Sequence, residues 1–137
     1  MSQNIAVTVK GFSVTKCIDP KYKADVPAKF KPKAVAALKS VQVDPPKGKT
    51  LTPYSADVAV AITKVTKGVR AEFSFTFSDK DPYSNRDKET GSATAGATVQ
   101  TTNPNPDKGD QDAALDAGWE AAKKAAIAAI QGIAKKP

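Results

Sequence analysis

The sequence predicts an α+β fold: a two-layer sandwich in which an antiparallel sheet of four to five strands is covered on one face by a long C-terminal helix. Three observations carry that expectation. Residues 56–78 alternate apolar and polar side chains on both sides of a turn at Lys67-Gly68. Residues 91–100 alternate again with smaller side chains, and residues 110–134 repeat apolar residues at spacings of three and four. A sheet with one apolar and one wet face needs a single covering layer, and a helix with one apolar stripe supplies it.

Taken in order, residues 5–15 form the first predicted strand. Ile5, Val7 and Val9 share one parity, whereas Phe12 and Val14 share the other. A bulge at Gly11 would bring both sets to the core, because one extra residue resets the alternation. The segment from Cys17 to Lys33 is rich in Pro and Lys and lacks sustained periodicity, so it reads as a long ordered loop. Residues 33–41 then read as a short helix that passes into a strand at SVQV, stopped by Asp44-Pro45-Pro46.

The hairpin at 56–78 is the clearest part of the chain. Val58, Val60 and Ile62 face one way, and Val69, Ala71, Phe73, Phe75 and Phe77 continue that face after the turn. The three phenylalanines should form the centre of the core. Residues 79–90 read as a charged loop. In the strand that follows, Ala93, Ala95, Ala97 and Val99 face inward and Ser92, Thr94, Thr98 and Gln100 outward. The last helix is capped by Asp110 or Asp112 and buries Leu115, Trp119, Ala122, Ala126, Ile130 and Ile133. Its alanines allow a close neighbour, and the small-residue strand is the natural one.

The 137 residues suit a single domain, and neither an internal repeat nor a dividing linker interrupts them. No basic segment followed by an apolar run opens the chain, and no apolar stretch is long enough to span a bilayer. The reading is a protein that does not insert into a membrane and resides in a reducing, cytoplasmic compartment. A leader removed before residue 1, or non-classical export, is the alternative.

Histidine is absent and Cys17 is the single cysteine. Histidine acid/base catalysis, Ser-His-Asp and Cys-His triads, His or multi-Cys zinc sites and an internal disulfide therefore fall away. Cys17 lies near Lys16 and Lys21 but has no histidine to act as its base, so an inert, half-buried thiol is expected. Asp57 and Glu72 share the wet face of the hairpin beside Arg70, Thr63 and Ser74, whereas acid/base work by carboxylates needs burial or like charge. The GKT at 48–50 lacks the upstream glycine of a phosphate loop. Residues 79–90 place Asp79, Asp81 and Asn85 at calcium-loop positions, but Ser84 stands where Gly is needed and Thr90 where a bidentate Glu is needed. A solvated turn is the plainer reading. No cofactor, metal or catalytic residue is expected.

The net charge is +7, and residues 1–50 hold ten lysines against three aspartates. The surplus of that first stretch thus equals that of the chain. Within it, Lys21, Tyr22, Lys23, Lys29, Lys31 and Lys33, together with Phe30, combine cations with aromatics, as polyanion binding with base stacking would require. Against this stand only two arginines and no recognised nucleic-acid-binding motif. A solvated lysine face with Tyr22 and Phe30 packed inward is the plainer reading. The Thr/Ser strand at 92–102 adds a third possibility, pairing with another chain if it lies at the sheet edge. The expectation is a non-enzymatic structural, assembly or accessory protein acting through protein–protein contact or self-association. The alternative is a nucleic-acid or other polyanion-binding module that uses residues 21–33.

Overall fold

A computed structural model of the chain describes residues 3–5, 7–39, 41–44, 47–48, 54–80 and 87–135. The elements are β1 (Gln3–Ile5), β2 (Val7–Lys16), α1 (Tyr22–Leu38), β3 (Val41–Val43), β4 (Tyr54–Val65), β5 (Gly68–Lys80), β6 (Asp87–Gln100) and α2 (Lys108–Lys135). The larger sheet has the order β2-β4-β5-β6, and β1 and β3 form a separate antiparallel pair. Both helices contact this sheet, α1 at β2 and α2 at β5 and β6. The fold is the expected α+β sandwich covered by a long helix.

The hairpin of β4 and β5 turns at Thr66 and Lys67, where Lys67 adopts φ 57°. Gly68 is already paired, with Val65 on one side and Gln100 on the other. Val58, Val60, Ile62, Val69, Ala71, Phe73, Phe75 and Phe77 are all buried on the inner face. Burying one such large side chain stabilises by about 1.5–3 kcal/mol, so this face contributes much of the driving force for folding.

In β2, the register jumps from Val9 opposite Ala56 to Gly11 opposite Asp57. Lys10 is the extra residue. Val7 and Val9 are therefore buried, and Phe12 and Val14, opposite Val58 and Val60, also pack on the core. The bulge works as the parity change suggested.

Two expectations need correction. β2 pairs with β4 in parallel, so the sheet is mixed and not wholly antiparallel. The segment read as a loop from Cys17 to Lys33 is mostly α1, and it supplies the long crossover that a parallel pair requires. Pro27 and Pro32 hid this helix. Each removes a backbone donor, and the carbonyls they leave unpaired belong to Lys23 and Ala28, both exposed, where water can satisfy them. The short helix expected at 33–41 is the last part of α1, and its strand is β3.

α1 buries Tyr22, Val26, Phe30, Ala34 and Leu38, one residue in every four. Phe30 meets Phe73 edge-on with ring centroids 5.4 Å apart, and Trp119 of α2 meets Phe73 edge-on at 5.7 Å. These three rings, one from each helix and one from the sheet, lock the two layers together. The start of α2 is fixed by Asp107, not by Asp110 or Asp112 alone. The Asp110 amide donates to Asp107 Oδ1 at 2.9 Å and the Asp107 amide donates to Asp110 Oδ2 at 3.2 Å, a reciprocal cap.

Candidate interaction surfaces

The structure disperses the basic segment around α1. Tyr22 is 6% exposed and Phe30 fully buried, so neither ring is presented for stacking on a base. The Tyr22 hydroxyl instead donates to Asp112 Oδ1 at 2.9 Å. Burial, then Asp112, Asp19 and Asp25, push that phenol well above its ordinary range. Lys29 and Lys33 flank Phe30, each with its ammonium 5.3 Å from the ring centroid, and Lys29 also pairs with Asp116 of α2 at 3.4 Å. Lys31 lies on the outer surface of the helix, in a shallow groove with Pro32, Val35 and Lys39. Lys21 sits just before the first turn, its amide held by Asp19 Oδ1 at 3.0 Å.

Lys23 joins a different group. Where the parallel strands β2 and β4 end, a surface cavity of about 540 Å³ is lined by Lys16, Lys23 and Lys64 with Thr15, Thr63 and the half-buried Cys17. Sequence reasoning missed this grouping because it depends on the parallel pairing, which sets residue 16 beside residue 61.

The two carboxylates of the wet face stay apart. Asp57 stands opposite Thr76 and Glu72 opposite Ala61, four positions further along the same ladder. Glu72 accepts from Arg70 Nε at 3.2 Å, and Asp57 lies against Gly11, where an added Cβ would come within 2.7 Å of its Oδ1. For the calcium-like segment, β5 and β6 continue as paired strands to Lys80 and Asp87, which narrows the expected loop. Residues 81–86, which include Asp81, Tyr83, Ser84 and Asn85, lie outside the described residues. Among the described residues no group of three or more His, Cys, Asp or Glu could hold a metal ion, and no helix is long and apolar enough to cross a membrane.

The outer sheet face is a field of small hydroxyls. Thr94 donates to Ser74 across the β5–β6 pair at 3.0 Å, and Arg70 Nη1 reaches Thr98 at 3.4 Å. β6 closes this sheet on one side, and no described strand pairs with its outer edge. From Gly91 to Gln100 that edge contains no charged residue and no proline. The opposite edge, β2, differs: it carries Lys10 and Lys16, and its register is broken at two places. Lysines and bulges are the usual devices that keep an edge strand from pairing; in β6 they are confined to its start, at Lys88 and the extra residue Thr90, and are missing along these ten residues.

No family model, curated protein or solved structure matches the chain in the comparisons made.

Proposed function

We propose that the protein works by contact, as a non-enzymatic structural, assembly or accessory component that offers the outer edge of β6 to a protein partner. The observation that carries this reading is the uncharged, unprotected run Gly91–Gln100 at the sheet edge, set against the lysine-bearing, bulged edge of β2. An extended segment laid beside such an edge gains a ladder of main-chain hydrogen bonds, and small side chains on both faces leave it unobstructed.

The dispersal of Lys21, Lys23, Lys29, Lys31 and Lys33 around α1, and the burial of Tyr22, favour this reading over a polyanion interface built on that segment. The test compares the wild-type chain with the double variant Ser92→Lys/Gln100→Lys, expressed in the native cell and sized in its extract. Both positions are exposed, so the variant folds while placing two charges on the edge. The wild type should travel in a complex larger than 14.3 kDa and the variant should travel alone. Equal sizes for the two proteins reject the β6 edge as the contact.

A further inference from the structure

We infer that the partner is a second copy of this chain, joined β6 to β6 about a two-fold axis so that two four-stranded sheets become one of eight strands. The inference rests on the reading of β6 as the contact edge, and three further observations select the occupant.

The first is direction. β2 runs parallel to β4, and β4, β5 and β6 alternate, so β2 and β6 point the same way. Copies stacked head to tail would have to join β6 to the bulged edge of β2 in parallel and would grow without closing. Two β6 strands related by a two-fold axis pair antiparallel and close.

The second is the flank of α2 above that edge. Asp116 reaches Lys29 of α1 and Gln131 reaches the Gln42 carbonyl of β3, which fixes the inward side of the helix. At 3.6 residues per turn the flank overhanging β6 carries Ala117, Ala121, Ala125, Ala128 and Gly132, with Lys124 at its solvent-side border. α2 lies across β5 and β6, with Gly118 against the Ala71 carbonyl and Ile133 against Gly91. With strands about 4.8 Å apart, a two-fold axis outside β6 sets the two α2 axes about 10 Å apart where α2 lies midway between β5 and β6. That is the separation of packed helices, and the alanine and glycine flank fills it without collision.

The third is charge. The basic surplus lies in residues 1–50, which build β1, β2, α1 and β3. A β6-to-β6 dimer puts the two β2 edges at the far ends of the joined sheet, so two chains of charge +7 meet along an uncharged strand.

The geometry also predicts the register of the helices. Between Gly118, above Ala71 and its partner Ala97, and Ile133, above Gly91, the helix and strand each advance about 20 Å. The centre of the uncharged run, between Ala95 and Gly96, therefore lies beneath the turn that holds Ala121. Ala121 should face its own copy, with Ala117 opposite Ala125.

Sedimentation equilibrium on the purified chain should give twice 14.3 kDa, and Ala121→Glu should give a folded monomer by circular dichroism. In a Cys17→Ser background, Ala121→Cys should form an intermolecular disulfide under copper-catalysed air oxidation, whereas Ala36→Cys on the exposed side of α1 should not. A wild-type monomer, or a dimer untouched by Ala121→Glu, overturns the inference. A purified monomer that still enters a larger complex in extract, lost on Ser92→Lys/Gln100→Lys, overturns the second copy and leaves the contact edge standing. A monomer whose complex survives that variant overturns both.

Discussion

The Tyr22 hydroxyl donates to Asp112 Oδ1 at 2.9 Å and thereby ties the first turn of α1 to the first turns of α2, 90 residues later. The tyrosine end of the bond is held by packing, since Tyr22 is buried beside Val26 and Leu115.

This bond makes stability depend on alkaline pH. Burial, and then the three surrounding aspartates, raise the phenol pKa in the folded chain above the ordinary value near 10. The folded state therefore holds the proton more tightly than the unfolded state. The contribution is complete below about pH 10 and is lost as pH rises beyond it. Urea unfolding between pH 8 and 11.5 should show this alkaline fall, and Tyr22→Phe should flatten it while costing about 1 kcal/mol at neutral pH. An unchanged alkaline limb in the variant would assign the fall to another group.

Two glycines of α2 should respond to alanine with opposite signs. A Cβ at Gly118 would come within 2.6 Å of the Ala71 carbonyl oxygen, a backbone atom held in the sheet. Gly118→Ala should cost about 1–3 kcal/mol. A Cβ at Gly132 meets nothing within 4 Å, so Gly132→Ala should stabilise by up to about 1 kcal/mol through helix propensity. Thermal melts of the two variants, measured together, decide the matter.

Trp119 is the single tryptophan, and it stands among Phe30, Phe73 and Phe75 at centroid distances of 6.2, 5.7 and 6.3 Å. Its emission should be blue-shifted in the native state and move red on unfolding. Phe30→Ala should cost about 3–5 kcal/mol and shift the native emission to the red, because removing the ring opens a gap beside the indole.

Polyanion binding should be weak and easily screened. A labelled oligonucleotide should show no saturable binding at about 0.15 M salt, where exposed charges are screened beyond roughly 8 Å. Any residual binding at low salt should weaken in Lys16→Glu/Lys64→Glu, since the cavity at the ends of β2 and β4 brings Lys16, Lys23 and Lys64 together. Saturable binding at the higher salt would restore the polyanion reading.

The hairpin and the C-terminal helix could be read from the residues because each obeys one period throughout. Phe73, Phe75 and Phe77 share a face by simple alternation, and Trp119, Ala122, Ala126 and Ile130 share one by helical repeat. α1 escaped because its buried set, Tyr22, Val26, Phe30, Ala34 and Leu38, is one residue wide and interleaved with lysines and two prolines. The spacing of four was the available signal. Missing that helix also hid the parallel pairing, and with it the meeting of Lys16, Lys23 and Lys64. The edge position of β6 was open in the sequence, because strand order depends on contacts that periodicity does not encode.

The order in which the ring cluster is assembled has a consequence for biosynthesis. Phe30, Phe73 and Trp119 emerge from the ribosome in that order, and α2 is made after α1 and the sheet. Until it arrives, β5 and β6 can pair and Phe30 of α1 can reach Phe73, but the part of β5 and β6 that α2 covers stays bare. The nascent protein thus passes through a stage in which part of its apolar sheet face is formed and bare, beside the edge strand β6. Neighbouring nascent chains on one message would meet at that stage. Rapid docking of α2 shortens the time for which that face is open to aggregation.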